Sequence, residues 1–264
     1  MADANTPRAD YGLDAPNVVR NLFVGAAIGL LLWASVALRL WSGQFVIPLG
    51  GDVIRIEVAG MALGVAIALS FAGFWMVWES KVGKLQSRER LLQRLSWTGN
   101  EQVLDLGCGR GLLLIGAAKR LTAGKATGVD IWQSEDLSGN RPEATLVNAR
   151  REGVDARVEV RTADMRELPF ADEIFDVVVS RAAIHNLYAA ADRARAIREV
   201  ARVLKPGGHA LIEDIRHGRE YASTFAQNGC SDIQRVGSRL EALFAVLLTM
   251  GSLRPETLLV KKAA

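Results

Sequence analysis

Two long stretches without a charged residue constrain the fold of this chain most. Leu22–Leu38 contains seventeen residues and Val58–Trp78 contains twenty-one, and neither has an Asp, Glu, Lys or Arg. With a rise of about 1.5 Å per residue, helices of these lengths are roughly 26 and 32 Å long, while the hydrocarbon layer of a bilayer is about 30 Å thick. Residues 1–80 are therefore predicted to form a membrane anchor of two helices, joined by a short turn over Ser42–Glu57.

Two other interpretations of these stretches stay open. Apolar, glycine-rich helices also fill the cores of soluble proteins. The first stretch alone is also typical of a signal peptide, although the second stretch would remain after cleavage. Two such stretches in succession favour the membrane anchor over both alternatives.

The segment after the second stretch carries a cluster of positive charge. Lys81–Arg94 has five basic residues and a single acidic one, Glu89. Basic clusters beside a membrane helix are typical of the cytoplasmic side, where the lipid surface is anionic. Residues 81–264 are therefore predicted to form a basic juxtamembrane helix followed by a domain that faces the cytoplasm.

Composition excludes several classes of protein. Half of the residues are hydrophobic and 23% are charged, which is too apolar for a disordered chain. The net charge of +3 is well short of the concentrated basic face of a dedicated nucleic-acid binder. The two cysteines, Cys108 and Cys230, are far apart and have no CxxC spacing. Neither a disulfide framework nor a zinc site is predicted from them.

From about Ser96 the pattern alternates short β-branched runs with helical stretches, which predicts an α/β domain. Near-continuous apolar runs such as Phe175–Val179 indicate strands that are covered on both faces, as in parallel sheets. Asn140 is predicted to cap a helix that has Pro142 in its first turn and Gly153 just past its end. The predicted strands are Gln102–Leu106, Ala126–Asp130, Arg157–Thr162, Phe175–Ser180 and His209–Asp214.

A glycine-rich loop follows the first of these strands. Gly107, Gly109 and Gly111 lie between the strand and the helical run Leu112–Leu121. Glycine permits positive φ and a close approach of a ligand to the backbone, so the pattern predicts a ligand cradle at the carboxyl ends of the strands. Asp130 ends the next strand, where a carboxylate can accept hydrogen bonds from ribose hydroxyls. These features predict a ribose-containing cofactor without choosing its class.

Three further motifs narrow the choice: Asp105 before the loop, Ala163-Asp164-Met165 after the third strand, and Lys205-Pro206-Gly207-Gly208 before the fifth. With them, the chain resembles the class I S-adenosylmethionine-dependent methyltransferases from roughly Ser96 to the C-terminus. The resemblance implies a Rossmann-like sheet of seven mostly parallel strands with helices on both faces, the last strand lying antiparallel over Glu256–Val260. It also implies S-adenosylmethionine as the cofactor and no metal. The loop residues that would lie under the methionine part of the cofactor, beside Asp105, are Gly107, Cys108, Gly109 and Gly111.

The resemblance also implies which residues bind the adenosine part. Asp130 would bind the ribose, and Ile131 would pack on the adenine. Asp164 and the Met165 backbone would bind the edge of the adenine ring. Ser180 would close the far side of the site.

The segment Ser180–Tyr188 approaches the transferable methyl group in this family. It lacks the Asn/Asp-Pro-Pro-Tyr and Pro-Cys sequences of enzymes that methylate nucleic-acid bases, so a nucleic-acid acceptor is not predicted. His185 is the candidate general base if the acceptor is a hydroxyl or an acidic carbon. The alternative is a histidine that only orients this segment. For Glu213 and Asp214, at the end of the fifth strand, an acceptor contact and a turn role both stay open.

Together these features predict a membrane-anchored methyltransferase that acts on a small hydrophobic or lipid-like molecule. An anchor raises the effective concentration of the active site for acceptors in the bilayer. The identity of the acceptor, the methylated atom and the oligomeric state stay open. Two other functions also remain, a nicotinamide-dependent oxidoreductase and a non-enzymatic membrane adaptor whose domain only binds the cofactor.

Two segments allow two interpretations each. The apolar segment Leu243–Met250 is either part of the core or a surface that faces the membrane. The polar segment Trp132–Asn140 is either a lid beside the ribose site or a plain connection.

Overall fold

The structure is a computed structural model, and it describes residues 8–237 and 253–264. The segment Leu243–Met250 lies outside these residues. The chain divides into two compact units. We name them by the roles that the sequence predicts. The anchor unit consists of Gly12–Lys84 and Ser134–Ser138, and the catalytic unit consists of the described residues of Met1–Tyr11, Leu85–Gln133 and Gly139–Ala264.

Two long helices dominate the anchor unit, α1 (Pro16–Ala37) and α2 (Val58–Trp78). Both are long and apolar enough to cross a membrane. They pack closely where Gly29 of α1 meets α2, because a Cβ atom at Gly29 would lie 2.8 Å from the carbonyl oxygen of Ala62. A single π-helical turn, Glu79–Gly83, follows α2.

The segment between these helices is a β-hairpin, and the predicted short turn is wrong. Strands β1 (Gln44–Leu49) and β2 (Asp52–Glu57) pair antiparallel. Gly50 and Gly51 connect them with φ values of +52° and +110°, which the paired glycines of a tight hairpin turn supply without steric cost. The β-branched residues on either side favour extended backbone.

Most of the basic segment forms the next helix, α3 (Lys84–Leu92), with Lys81 in the π-helical turn before it and Arg94 after its end. Two of its five basic residues are buried rather than turned toward a lipid surface. Lys84 donates to the carbonyl of Gly12 at 2.9 Å and pairs with Asp14 at 3.0 Å. Arg88 donates to the Tyr11 hydroxyl at 3.1 Å. The basic residues that stay exposed are Lys81, Arg90 and Arg94.

The catalytic unit contains a seven-stranded sheet with the strand order β5-β4-β3-β6-β7-β9-β8. Strands β3 to β7 run parallel, and β9 is antiparallel to both β7 and β8. The predicted Rossmann-like sheet is confirmed, including its antiparallel last strand. The strands are β3 (Gln102–Leu106), β4 (Lys125–Asp130), β5 (Val158–Thr162), β6 (Phe175–Arg181), β7 (Leu204–Asp214), β8 (Cys230–Arg235) and β9 (Glu256–Lys262).

Helices cover both faces of this sheet. Alternate strand residues point to opposite sides, so Val103 and Val177 join one buried cluster while Leu104 and Val178 join the other. The first cluster packs against α3, α4 and α5, and the second packs against α6 and α7. The helices after α3 are α4 (Leu112–Ala118), α5 (Pro142–Arg151), α6 (Ala190–Val203) and α7 (Gly218–Gln227).

Two local predictions need correction. The residue that caps α5 is Arg141, without a side-chain hydrogen bond, and not Asn140. The prediction of Pro142 in the first turn of α5 is confirmed. The predicted turn at Lys205-Pro206-Gly207-Gly208 lies inside β7, where the pairing with β6 shifts register and Gly207 has φ +75°. A bulge accommodates proline and glycine in a strand because it removes them from the regular ladder.

Candidate functional site

The glycine loop joins β3 to α4 in a conformation that glycine adopts readily and other residues do not. The φ angles of Gly107, Gly109 and Gly111 are +72°, +51° and +86°. A Cβ atom at Gly107 would overlap the Cβ atom of Ala183, which lies in the segment after β6. The loop, called the cradle below, therefore has no room for a side chain at position 107.

Two side chains of α5 hold this loop from behind. The Thr145 hydroxyl donates to the carbonyl of Gly109 at 2.6 Å, and the Asn148 amide donates to the carbonyl of Arg110 at 3.0 Å. Thr145 and Asn148 are both fully buried. Helix α5 thus fixes the position of the cradle, and sequence analysis assigned no role to either side chain.

Asp105 is a buried carboxyl at the base of the cradle. Only 2% of the residue is exposed, and the backbone N–H of Leu114 donates to its Oδ2 atom at 2.8 Å. Burial, with a smaller contribution from the charge of Asp130, raises the pKa of Asp105 to about 7. A cationic amino group beside Asp105 would favour its charged form, so the carboxyl suits the predicted contact.

Asp130 ends β4 and turns its carboxylate toward the loop. The carboxylate accepts the N–H groups of Gly109 at 2.8 Å and Trp132 at 2.6 Å, and the side-chain amide of Asn140 at 3.2 Å. A carboxylate can accept about four hydrogen bonds, so one position remains. Asn140 Oδ1 is buried and accepts no hydrogen bond from the described residues. Asp130 and Asn140 therefore both offer acceptors to ribose hydroxyls.

The residues predicted to contact adenine lie beyond the ends of β4 and β5. Ile131 is 49% exposed, which leaves an apolar surface against which a ring can pack. The Arg166 guanidinium donates to both oxygens of Asp164, and this contact holds the pKa of Asp164 below its usual range. Met165 is partly buried against the core. An adenine amine would share Asp164 with Arg166, a partner that sequence analysis did not find.

Two other predicted cofactor residues are buried under the loop. The Ser180 hydroxyl donates to the carbonyl of Leu106 at 2.7 Å, so it ties β6 to β3, and its cofactor contact stays a prediction. Burial raises the pKa of the Cys108 thiol well above its ordinary value. Burial of this kind is typical of a structural cysteine, and the predicted cofactor contact of Cys108 stays a prediction.

His185 lies in a short 3₁₀ turn after β6, and Asp214 at the end of β7 holds it. The His185 Nδ1 atom is 2.6 Å from Asp214 Oδ1, and the His185 backbone N–H donates to Oδ2 at 2.9 Å. The Tyr221 hydroxyl also donates to Asp214 Oδ2, at 3.1 Å. Because a carboxylate only accepts hydrogen bonds, the contact assigns a proton to Nδ1, so the neutral tautomer that it favours carries its lone pair on Nε2. This is the arrangement of an oriented general base.

A cavity of about 420 Å³ opens beside His185. Its wall includes Tyr188, Ile215 and His217. Burial lowers the pKa of His217 and so disfavours its charged form. The volume and the mixture of polar and apolar groups are typical of a small-molecule site.

Backbone strain also concentrates at this edge of the sheet. Trp132, Ala182 and His217 follow β4, β6 and β7, and each has positive φ without being glycine. Such residues cost on the order of 1–3 kcal/mol each and cluster at functional sites. Across residues 8–237 and 253–264, no group of three or more His, Cys, Asp or Glu side chains is placed to hold a metal ion.

Comparisons with known proteins identify the central part of the chain. Residues 104–212 match the family model described as a methyltransferase domain. This segment is similar in sequence to methyltransferase domains. A methyltransferase of Streptomyces halstedii is 36% identical over 127 residues, which cover 48% of this chain and 42% of the relative. A sterol 4-C-methyltransferase of Caenorhabditis elegans is 31% identical over 131 residues, which cover 50% of this chain and 36% of the relative.

A third relative is similar over a comparable length. The 2-phytyl-1,4-beta-naphthoquinone methyltransferase of Arabidopsis thaliana is 34% identical over 147 residues, which cover 52% of each protein. This chain thus spans about half or less of the length of the curated relatives it matches. The predicted methyltransferase class and its cofactor are confirmed at the level of the domain.

Solved structures show the same fold. A geranyl diphosphate methyltransferase in complex with S-adenosylmethionine superposes with a TM-score of 0.52 at 19% identity, covering 68% of this chain and 85% of that chain. The cyclase SpnF superposes with a TM-score of 0.55 at 20% identity, covering 68% and 81%. At these identities the likeness shows the fold alone, and a cyclase among these structures shows that the fold does not name the reaction.

Proposed function

We propose that the whole chain is an S-adenosylmethionine-dependent methyltransferase, anchored in a membrane by α1 and α2, with its catalytic unit in the cytoplasm. It transfers a methyl group to a small hydrophobic or lipid-like acceptor. The observation that carries the proposal is an oriented base next to the cofactor cradle. Ala183 abuts Gly107, and His185, two residues further on, is held by Asp214.

The residues present fit the cofactor. The cradle around Gly107 has no room for a Cβ atom, Asp105 suits a cationic amino group, and Ile131 offers an apolar surface to a ring. Asp130 and the unpartnered Oδ1 of Asn140 suit ribose hydroxyls. When bound, S-adenosylmethionine supplies a methyl carbon that its sulfonium charge activates.

The chain's own residues then align the acceptor and take up its proton. His185 Nε2 is placed to accept the proton that a hydroxyl or acidic C–H acceptor in the cavity would lose. The bond between the methyl carbon and the sulfonium sulfur would break as the acceptor–methyl bond forms, and S-adenosylhomocysteine would leave. Asp214 stabilises the imidazolium through the Nδ1–H group. The Ile215 N–H and the Tyr221 hydroxyl hold Asp214 in place, at 2.8 and 3.1 Å.

Two observations support the apolar acceptor and the anchor. The relatives that share the domain include a sterol and a naphthoquinone methyltransferase. The surfaces of α1 and α2 are apolar and exposed, with Leu31, Phe71 and Phe74 each more than two-thirds exposed. Exposed apolar surface of this extent is typical of contact with lipid or with another protein.

The test uses the full chain in detergent or vesicles. Calorimetry measures S-adenosylmethionine binding, and radiolabelled methyl transfer is followed into a total lipid extract and, separately, into soluble metabolites. We expect label in the lipid fraction. His185→Ala should lower turnover by about 10²–10⁴-fold and leave cofactor affinity unchanged. His209→Ala, a substitution in the middle of β7, is the matched control.

Three results would count against the proposal. Absence of S-adenosylmethionine binding in a folded sample would overturn the cofactor assignment. Binding without transfer into either fraction would favour a binding module or another reaction on the same fold. Full turnover in the His185→Ala variant would remove the base from the mechanism.

A further inference from the structure

The hairpin between α1 and α2 has an apolar face that the described residues leave exposed. Residues directly opposite each other in an antiparallel pair share a face, and in this pair Phe45 lies opposite Ile56 and Ile47 opposite Ile54. Leu49 extends the same face to the tip of the hairpin, where Asp52 lies opposite it. All of these side chains are more than one-third exposed. We call this set the hairpin face: Phe45, Ile47, Leu49, Ile54 and Ile56.

The opposite face carries most of the polar groups of the ribbon, interspersed with Val46, Pro48 and Val53. The Gln44 side-chain amide donates to the Glu57 carboxylate, and Arg55 lies opposite Val46. The hairpin face is therefore the more apolar of the two faces, and the one basic side chain of the hairpin lies on the other face.

The hairpin face continues into the side of the helix pair. A crevice of about 280 Å³ lies between α1 and α2, and Ile56 lines it together with Ile28 of α1 and Met61 of α2. The same apolar surface thus runs without a break from the helices onto the hairpin. Whatever covers the sides of α1 and α2 in this region also covers the hairpin face.

Water is a poor solvent for this arrangement. A single two-stranded hairpin is marginally stable in water, and an exposed apolar ribbon invites edge-to-edge association. At a membrane surface the apolar side chains reach lipid, while the backbone edges and Arg55 stay hydrated. Trp41 and Phe45 pack at the base of the hairpin with ring centroids 5.6 Å apart, and aromatic side chains are enriched at this depth.

We propose that the hairpin is a membrane-surface element whose hairpin face contacts lipid acyl chains, with one chain filling the crevice beneath Ile56. It lies at the leaflet opposite to the one at which α1 begins and α2 ends. This inference rests on the proposed membrane anchor and adds a second, non-spanning contact with the bilayer.

The test places a nitroxide label on each face of the full chain in phosphatidylcholine vesicles. Ile54→Cys puts the label on the hairpin face, and Arg55→Cys puts it on the opposite face. The native Cys108 and Cys230 are buried, so they add little background. The collision rates of each label with oxygen, which partitions into lipid, and with a water-soluble nickel chelate show whether the label lies in lipid or in water. We expect oxygen to dominate at position 54 and nickel at position 55. Ile47→Cys and Val46→Cys repeat the comparison on β1 if a β2 variant fails to fold.

Val65→Cys, inside α2, separates this inference from the proposed anchor. Oxygen access at position 65 together with equal nickel access at positions 54 and 55 would overturn the hairpin contact and leave the anchor standing. Nickel access at position 65 would overturn both. Exclusion of both reagents at position 54, with dipolar broadening between labels, would show a second copy of the chain on this face instead of lipid.

Discussion

At the scale of single residues, burial of Asp105 opposes the negative charge that the proposed cofactor contact requires. The pKa of Asp105 is raised from 3.8 to about 7 in the folded protein, so folding takes up a proton between these values. The stability that this raised pKa contributes is fully present below about pH 4 and is lost as the pH rises to about 7. Asp105→Asn keeps an acceptor for the Leu114 N–H and never ionises. The unfolding free energy of the variant minus that of the wild type should therefore rise from about pH 4 to about pH 7 and then level off.

Urea titrations of both proteins across this pH range measure the difference. A difference that does not change with pH would show that Asp105 titrates at an ordinary pKa. The comparison isolates Asp105 because every other titrating group is common to the two proteins.

The same substitution tests the contact of Asp105 with the cofactor. A cationic amino group favours the carboxylate, so wild-type affinity for S-adenosylmethionine should fall as the pH drops below about 7, by up to about tenfold per pH unit. Asp105→Asn should bind at least about tenfold more weakly at pH 8 and lack this pH dependence, a change of about 1.4 kcal/mol. Calorimetry at several pH values measures the affinity of both proteins for S-adenosylmethionine. The same pH dependence in the wild type and in Asp105→Asn would contradict the contact.

The local sequence pattern predicts the positions of some site residues. The positions of others depend on which strands are neighbours in the sheet. Gly107 and Asp130 follow strands directly, so the strand-then-loop pattern places them. His185 and Asp214 meet because β6 and β7 are neighbours in the sheet, which a single sequence does not state. The residue type of Asn140 predicts a helix cap, whereas its side-chain amide donates a hydrogen bond to Asp130.

At the scale of elements, α5 acts as the support of the cofactor loop. Thr145→Val keeps the side-chain shape but removes the donor to the buried carbonyl of Gly109, a loss that costs about 1–3 kcal/mol. We expect the Kd for S-adenosylmethionine to rise at least about fivefold, because the loop loses its fixed position. Thr145→Ser retains the hydroxyl and should bind like the wild type. Calorimetry on the three proteins measures the effect, and equal affinity of the Val and Ser variants would contradict it.

The elements that sequence analysis missed have weak or ambiguous patterns. Strand β8 is a mostly exposed edge strand, so it lacks the apolar alternation that reveals the inner strands. The hairpin β1–β2 lies between two apolar helices, and its own apolar residues there look like the ends of those helices. The strands of the sheet core were predicted within a few residues because both of their faces are buried.

At the scale of the whole molecule, the chain leaves the catalytic unit and returns to it. Asp10 precedes α1, yet its backbone N–H and carbonyl both bond to the Asn148 side chain, at 2.9 and 2.8 Å. The Tyr11 hydroxyl donates to Glu152 of the same unit at 3.0 Å. Residues on both sides of the anchor therefore belong to one compact unit. If α1 and α2 cross a membrane, the chain has to cross an even number of times, because the residues before α1 and after α2 belong to the same unit. Two helices meet this requirement.

This connectivity predicts where single cysteines can be labelled. Asp52, at the tip of the hairpin, and Tyr188, in the catalytic unit, are both exposed, whereas Cys108 and Cys230 are buried and give little background. In intact expressing cells, a membrane-impermeant maleimide should label Asp52→Cys, and it should label Tyr188→Cys only after lysis. The unlabelled wild type measures the background. Labelling of both variants without lysis would place the catalytic unit outside the cell. Labelling of neither variant without lysis would place the hairpin on the same side of the membrane as the catalytic unit. Two membrane crossings do not allow that arrangement.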